Sequence, residues 1–351
     1  MGVKDEPWVK ENPDRVKLLG PVCVAYGHPD LERTHTYLTD FGLVESFRKD
    51  EAIYYRGYGV QPVVYIAKKT AVPEFLGVYF EAAGLADLEK ATKIPGAGAI
   101  SDFAAGGKVV QIIDPSGIPF HVVCGLEKRE FTPPKENSQP YNFPSPTDDD
   151  VEAKPRRGVF HRMPKLPRIS SKSFFLTYRL SIGMKKGVIP VHKLGHCGLI
   201  AKDFDISFDF YCYHFNFKPS DVVLGPDGSM MMVFLHVDLG KSYSEHHSFF
   251  VAQPQGLLQP GKPHHAAFEV NSIESQFIGH DYLSHKGYTS FWGVGRHIEG
   301  SQVFDYWFDL DGFLVEHYTD GDLVNEDTPI GWIKRDPKDG NNWGPALPQI
   351  K

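Results

Sequence analysis

At 351 residues the chain is long enough for two domains of ordinary size, each able to bury a core without disulfide or metal staples. Charged residues make up 23% and hydrophobic ones 41%, an ordinary balance for a soluble globular protein, and no apolar run approaches membrane-spanning length. A formal net charge of −7 and a pI near 6.1 lack the basic footprint of a nucleic-acid binder.

Residues 1–18 read as an N-terminal extension. Their start, Met-Gly-Val-Lys-Asp-Glu, has no apolar signal-peptide core, which predicts a cytoplasmic protein. Residues 19–126 read as a first domain. It opens on a strand, Gly20-Pro-Val-Cys-Val-Ala, followed by an amphipathic stretch, Arg33-Thr-His-Thr-Tyr-Leu, and it ends near a hairpin at Ile113-Asp-Pro-Ser-Gly. A linker follows over 127–191, with a Pro/Ser/Asn-rich part (Pro133 to Pro146), an acidic run, a basic cluster and an apolar patch, Ser173-Phe-Phe-Leu. Residues 192–320 read as a second domain, and 321–351 as a turn-rich tail packing back on it.

The second domain repeats the first. Leu194-Gly-His-Cys-Gly-Leu falls on Gly20-Pro-Val-Cys-Val-Ala when Cys197 is laid on Cys23, which also lays Tyr211 on Tyr37 and His196 on Val22. Phe308-Asp-Leu-Asp-Gly matches the Ile113-Asp-Pro-Ser-Gly hairpin. Within each half a strand–helix–strands module appears twice; in the second half the modules start near His192 and Pro263. Strands arriving in runs between helices predict an α+β fold. Cys23, Cys124, Cys197 and Cys212 show no C-x-x-C spacing and are expected as free, buried thiols.

Chemistry is expected in the second half, because three histidines precede residue 160 and thirteen follow it. His265 lies in the alternating strand Pro-His-His-Ala-Ala-Phe-Glu-Val. His297 closes Gly-Val-Gly-Arg-His, and Tyr306 and Glu316 follow on two strands joined by a turn around Asp311-Gly312. With His196 this supplies two imidazoles and a carboxylate, the donor set of non-haem Fe(II) sites. Strict alternation places His265 on the small-residue face with Ala267, and His264 on the opposite face, dispensable to a metal. His246 and His317 likewise read as structural. Met230-Met-Met-Val-Phe reads as an apolar strand bordering a cavity, and Phe304 to Phe308 as core and pocket wall.

From Gly295-Arg-His297, Tyr306-Trp-Phe-Asp309-Leu-Asp-Gly312 and Glu316, the chain resembles the type I extradiol ring-cleaving dioxygenases of the vicinal oxygen chelate superfamily. The resemblance covers nearly everything outside the linker. It departs at Leu310, where the family has Pro, and at Asp305, where it has an apolar residue. It implies tandem βαβββ modules paired into two open-barrel domains. It also implies His196, His265 and Glu316 as ligands of Fe(II), with Mn(II) an alternative, His247 as acid–base group, and His297 and Tyr306 as hydrogen-bonding groups beside substrate. The partners implied are a catecholic diol and O2, in a homo-oligomer that binds neither membrane nor nucleic acid and needs no nicotinamide or flavin. A glyoxalase-like isomerase or lyase, or a non-catalytic binding module on the same fold, are the alternatives. In the first half, Val22, Gly77 or its neighbours, and His121 are expected where the ligands would stand, so that half is expected to hold no metal.

Overall fold

Four times along the chain a strand leads into a helix and then into further strands. In the computed structural model, which describes residues 12–132, 187–254, 259–334 and 341–348, the first module is β1 (Leu18–His28), α1 (Leu31–Asp40), β2 (Val44–Lys49), β3 (Ala52–Arg56) and β4 (Tyr65–Lys69). The second is β5 (Glu74–Ala82), α2 (Leu85–Ala91), β6 (Ser101–Asp102), β7 (Lys108–Ile113) and β8 (Pro119–Cys124). The third comprises β9 (Val191–Ile200), α3 (Phe204–His214), β10 (Phe217–Leu224), β11 (Met230–Val237), β12 (Ser244–Glu245) and β13 (Phe249–Ala252). The fourth comprises β14 (Lys262–Val270), α4 (Ile273–His285), β15 (Ser290–Arg296), β16 (Val303–Phe308) and β17 (Leu314–Thr319). Two short strands, β18 (Leu323–Val324) and β19 (Gly331–Lys334), follow. The linker features expected between Pro133 and Leu180 lie outside the described residues.

Local chemistry sets the helix starts. Asp30, Asp203 and Ser272 each accept a backbone N–H of the first turn, from Arg33, Ile206 and Ser275, satisfying a donor that the helix cannot. The modules pair into two sheets, ordered β2-β3-β4-β1-β5-β8-β7-β6 and β15-β16-β17-β14-β9-β13-β11-β10-β19, each curled as an open half-barrel. Both use one scheme at the centre: β1 with β5 and β9 with β14 are antiparallel, while β5 with β8 and β14 with β17 are parallel. This is the expected α+β fold.

A shared apolar core joins the halves. Phe80 and Phe120 of the first half meet Phe215, Phe217 and Phe249 of the second edge to face or tilted, at centroid separations between 4.8 and 6.5 Å. Polar ties run through the same seam. Tyr211 on α3 donates to Asp114 of the first half's hairpin at 2.9 Å. On the other side His28, fully buried, bridges Tyr65 and Asp311 of the second half's hairpin at 2.8 and 2.7 Å. Among the described residues no helix is long and apolar enough to cross a membrane.

Candidate metal centre

Strand register decides which side chains meet. Glu316 on β17 pairs with Tyr306 on β16 and with Ala267 on β14, and Ala267 pairs with His196 on β9. Directly paired residues project from the same face, so His196, Glu316 and Tyr306 form one row, with His265 two positions from Ala267 on that face. Ala267 is small and leaves the middle of the row open. His196 Nε2 and His265 Nε2 lie 3.2 Å apart, and each lies 3.2 Å from Glu316 Oε2.

All three are buried, Glu316 completely, yet neither Glu316 oxygen has a hydrogen bond. A buried carboxylate left in that state is costly. A divalent cation offsets the cost, and two imidazole nitrogens with one carboxylate oxygen, all within 4.8 Å of one another, suit Fe(II) or Mn(II). Burial, reinforced by the neighbouring imidazoles, holds His196 well below its ordinary pKa, keeping it in the neutral form a metal needs.

The two histidine doublets depart from strict alternation. On β14 the register slips between Pro263 and His265, so His264 is the extra residue of a bulge. His264 therefore does not turn to the opposite face. Its ring lines the same cavity, with Nδ1 2.8 Å from His265 Nδ1. A His265 that ligates through Nε2 carries its proton on Nδ1, and His264 Nδ1 stands within reach to accept it, the usual service of a ligand's outer partner. His246 and His247 lie on a bend between β12 and β13. His247 stands 4.1 Å from His196 by ring centroids and lines the cavity. His246 is not a detached structural group either: its Nδ1 is 3.1 Å from His247 Nδ1. Burial, then the adjacent His196 and His246, push His247 well below its ordinary pKa.

His297 Nε2 is 2.8 Å from the Tyr306 hydroxyl and 4.0 Å from Glu316 Oε1. Both residues open onto a cavity of about 680 Å3 that also reaches His247 and His265. Its further walls are mainly apolar: Met231, Met232 and Phe234 from β11, Phe291 and Phe308, and Phe313 after the hairpin. The methionine strand thus borders the cavity as expected. Tyr26 of the first half and Leu347 of the tail complete the lining, and the tail is anchored by the Trp292 indole N–H donating to the Pro345 carbonyl at 2.8 Å. Asp305 faces away from the cavity row, buried against His280 and the Trp307 indole. His317 also points away, its Nε2 donating to the Phe41 carbonyl.

In the first half the same register rows hold different residues. By strand register Cys23, not Val22, occupies the place corresponding to His196, and both halves carry a bulge just before it, at Val22 and at Gly195. Cys23 pairs with Tyr79, and Tyr79 with His121. Gly77 stands in the place of His265, and an added Cβ there would meet His121 Nε2 at 2.7 Å. His121 stacks on Tyr79 at 4.0 Å and donates to the Leu76 carbonyl at 3.0 Å. A small apolar cluster including Val22, Cys23, Ala25, Ile66 and Phe103 fills this concave face, where the second half has its cavity.

Residues 193–317 match the model of the Glyoxalase/Bleomycin resistance protein/Dioxygenase superfamily. The second half is thus similar to the domains of that superfamily, and the chain has the two-domain vicinal oxygen chelate fold. Among particular relatives, Metapyrocatechase 2 of Cupriavidus necator is 28% identical over 167 residues, which is 46% of this chain and 47% of that protein. The match thus spans about half the length of that curated relative. Among solved structures, the Mn(II)-bound glyoxalase from Novosphingobium aromaticivorans superposes with a TM-score of 0.68 at 18% identity, covering 96% of both chains. Homoprotocatechuate 2,3-dioxygenase from Brevibacterium fuscum superposes with a TM-score of 0.69 at 15% identity, covering 97% of this chain and 93% of that one.

Proposed function

We propose that the chain is an extradiol dioxygenase that uses Fe(II), held by His196, His265 and Glu316, to cleave a catecholic ring with O2. The observation that carries this is the orphaned, buried Glu316 carboxylate facing two imidazoles on the wall of a cavity that also holds His247, His297 and Tyr306. The bound ion would supply a Lewis-acidic centre at which the diol and O2 meet, making a three-body encounter unimolecular.

The chain's own groups do the rest. A diol must lose protons to chelate, and His247, neutral and lining the cavity, is the base within reach. Tyr306, oriented by His297, donates toward developing negative charge on oxygen. The apolar walls exclude water from the reacting centre. The electrons come from the substrate, so no second organic cofactor is required.

The size of the cavity bears on the substrate. About 150 Å3 suffices to enclose benzene in an apolar protein cavity, and this one is several times larger. The fitting substrate is a catechol with a bulky apolar substituent that lies along Met231, Met232 and Phe313.

Anaerobic reconstitution with Fe(II), followed by an oxygen electrode and a panel of substituted catechols, tests the reading. One O2 per ring is expected without added reductant, with yellow ring-opened products and higher kcat/KM for bulky catechols than for catechol itself. Metal binding with no O2 uptake across the panel would favour the isomerase class, which consumes none. No metal binding at all would favour a binding module.

A further inference from the structure

Beyond the triad, three side chains run in line from β10 to the cavity. The Asp221 carboxylate, with 16% of its side chain exposed, lies 2.9 Å from His246 Nε2. His246 Nδ1 lies 3.1 Å from His247 Nδ1. Both rings are buried, at 4% exposure each. The arrangement is built into the backbone. Ser220 Oγ donates to the His246 carbonyl at 2.6 Å. A Cβ at Gly300 would stand 2.5 Å from His246 Nδ1, and one at Gly331 would stand 2.0 Å from Asp221 Oδ1. Gly300 also has φ of 65°, a conformation glycine adopts without a steric cost.

Donor and acceptor rules then propagate along the line. A carboxylate only accepts, so Asp221 places a proton on His246 Nε2. In the neutral ring this leaves His246 Nδ1 with a lone pair. That lone pair can accept only if His247 carries its own proton on Nδ1. The His247 Nε2, on the ring edge away from His246, is then left unprotonated.

We propose that Asp221 and His246 are positioning residues that set His247 in its Nδ1–H tautomer, leaving Nε2 free to take the substrate's proton. The kinetic part rests on the dioxygenase reading; the tautomer itself does not. When Nε2 takes a proton, the positive charge on His247 is shared through Nδ1–H with His246, and the Asp221 carboxylate stabilises it. No proton needs to leave the line for that step.

The test has two arms. In the full-length chain labelled with 15N-histidine and free of paramagnetic metal, His247 is identified by the signals lost in His247→Phe. It should show a protonated Nδ1 and an unprotonated Nε2, and His246→Leu should convert it to a tautomer mixture. A proton on Nε2 in the parent chain, or an unaltered tautomer in His246→Leu, overturns the proposal. In the kinetic arm, His246→Leu should lower kcat roughly 10–100-fold with iron content held, the usual cost of removing an outer hydrogen-bond partner. His246→Asn, whose Oδ1 keeps an acceptor toward His247, should recover most of that loss. Equal impairment of both variants would point to a packing role and overturn the relay. A parent chain that turns over no catechol sinks the dioxygenase reading alone, because the tautomer arm is read without turnover.

Discussion

His264 and His265 are neighbours on β14 with separate duties. His265 offers Nε2 to the triad, so His265→Ala leaves one imidazole and one carboxylate. Iron retained after dialysis should fall to background. His264 holds His265 Nδ1 at 2.8 Å, and His264→Ala should weaken iron binding by roughly 10–100-fold while leaving the site able to load at excess metal. An unchanged iron affinity in His264→Ala would make that contact incidental. His247→Phe, by contrast, should keep its iron and lose turnover by roughly 10²–10⁴-fold, as expected of a general acid–base group; lost iron in that variant would put His247 among the ligands instead. Of the six candidate residues named from the resemblance, His196, His265, Glu316 and Tyr306 lie on four adjoining strands, β9, β14, β17 and β16, while His247 and His297 lie on the segments beside β13 and β15. The partners His264, His246 and Asp221 were not readable, since alternation holds only where the ladder is regular. Both doublets stand where it breaks, at a bulge and at a bend. Two adjacent histidines near a ladder irregularity were the available signal.

At the scale of elements, β9 and β14 carry the site, and their fit depends on a residue with no side chain. Gly198 pairs with His265, and a Cβ there would fall 1.7 Å from the Phe250 ring. Phe250 lies against His264 and His265 at 5.3 and 5.1 Å. Gly198→Ala must therefore displace the Phe250 ring that packs on the two histidines. Overpacking of this kind costs about 1–3 kcal/mol, so a lower urea midpoint together with weaker iron retention is expected. Wild-type values for both would mean that Phe250 has room to retreat. The four modules were legible because the strand–helix–strands pattern recurs, although only three of the four helix starts carry a capping side chain, Asp30, Asp203 and Ser272. The register was not: laying Cys197 on Cys23 placed the halves one position away from the strand pairing, which sets Cys23 against His196.

For the whole molecule, the buried histidines set its response to acid. Burial pushes both His121 and His236 down to about 4, against roughly 6.5 in an unfolded chain. Between those values the unfolded chain binds protons that the folded chain refuses. The stability contribution is therefore intact above about pH 6.5 and is lost as pH falls toward 4. His121→Phe should make the decline shallower, as read from urea unfolding across that range. An unchanged slope would mean that His121 is already charged in the folded state. That the two halves form one compact unit was only partly legible: the repeat showed as a weak match, and the seam through His28, Asp311, Tyr211 and Asp114 joins residues far apart in sequence, which no local pattern announces.

Tyr26 comes from β1, in the half without the triad, and packs on Phe313 at 4.5 Å on the cavity wall. One wall residue thereby comes from the copy without the triad, while Met231, Met232 and Phe313 come from the copy that holds it. A change on β1 can redraw what the chamber admits without touching a single coordinating atom. Tyr26→Ala should shift the ranking of bulky against simple catechols at constant iron content. Duplication thus lets one copy vary the chamber's wall while the other keeps the candidate coordinating set intact.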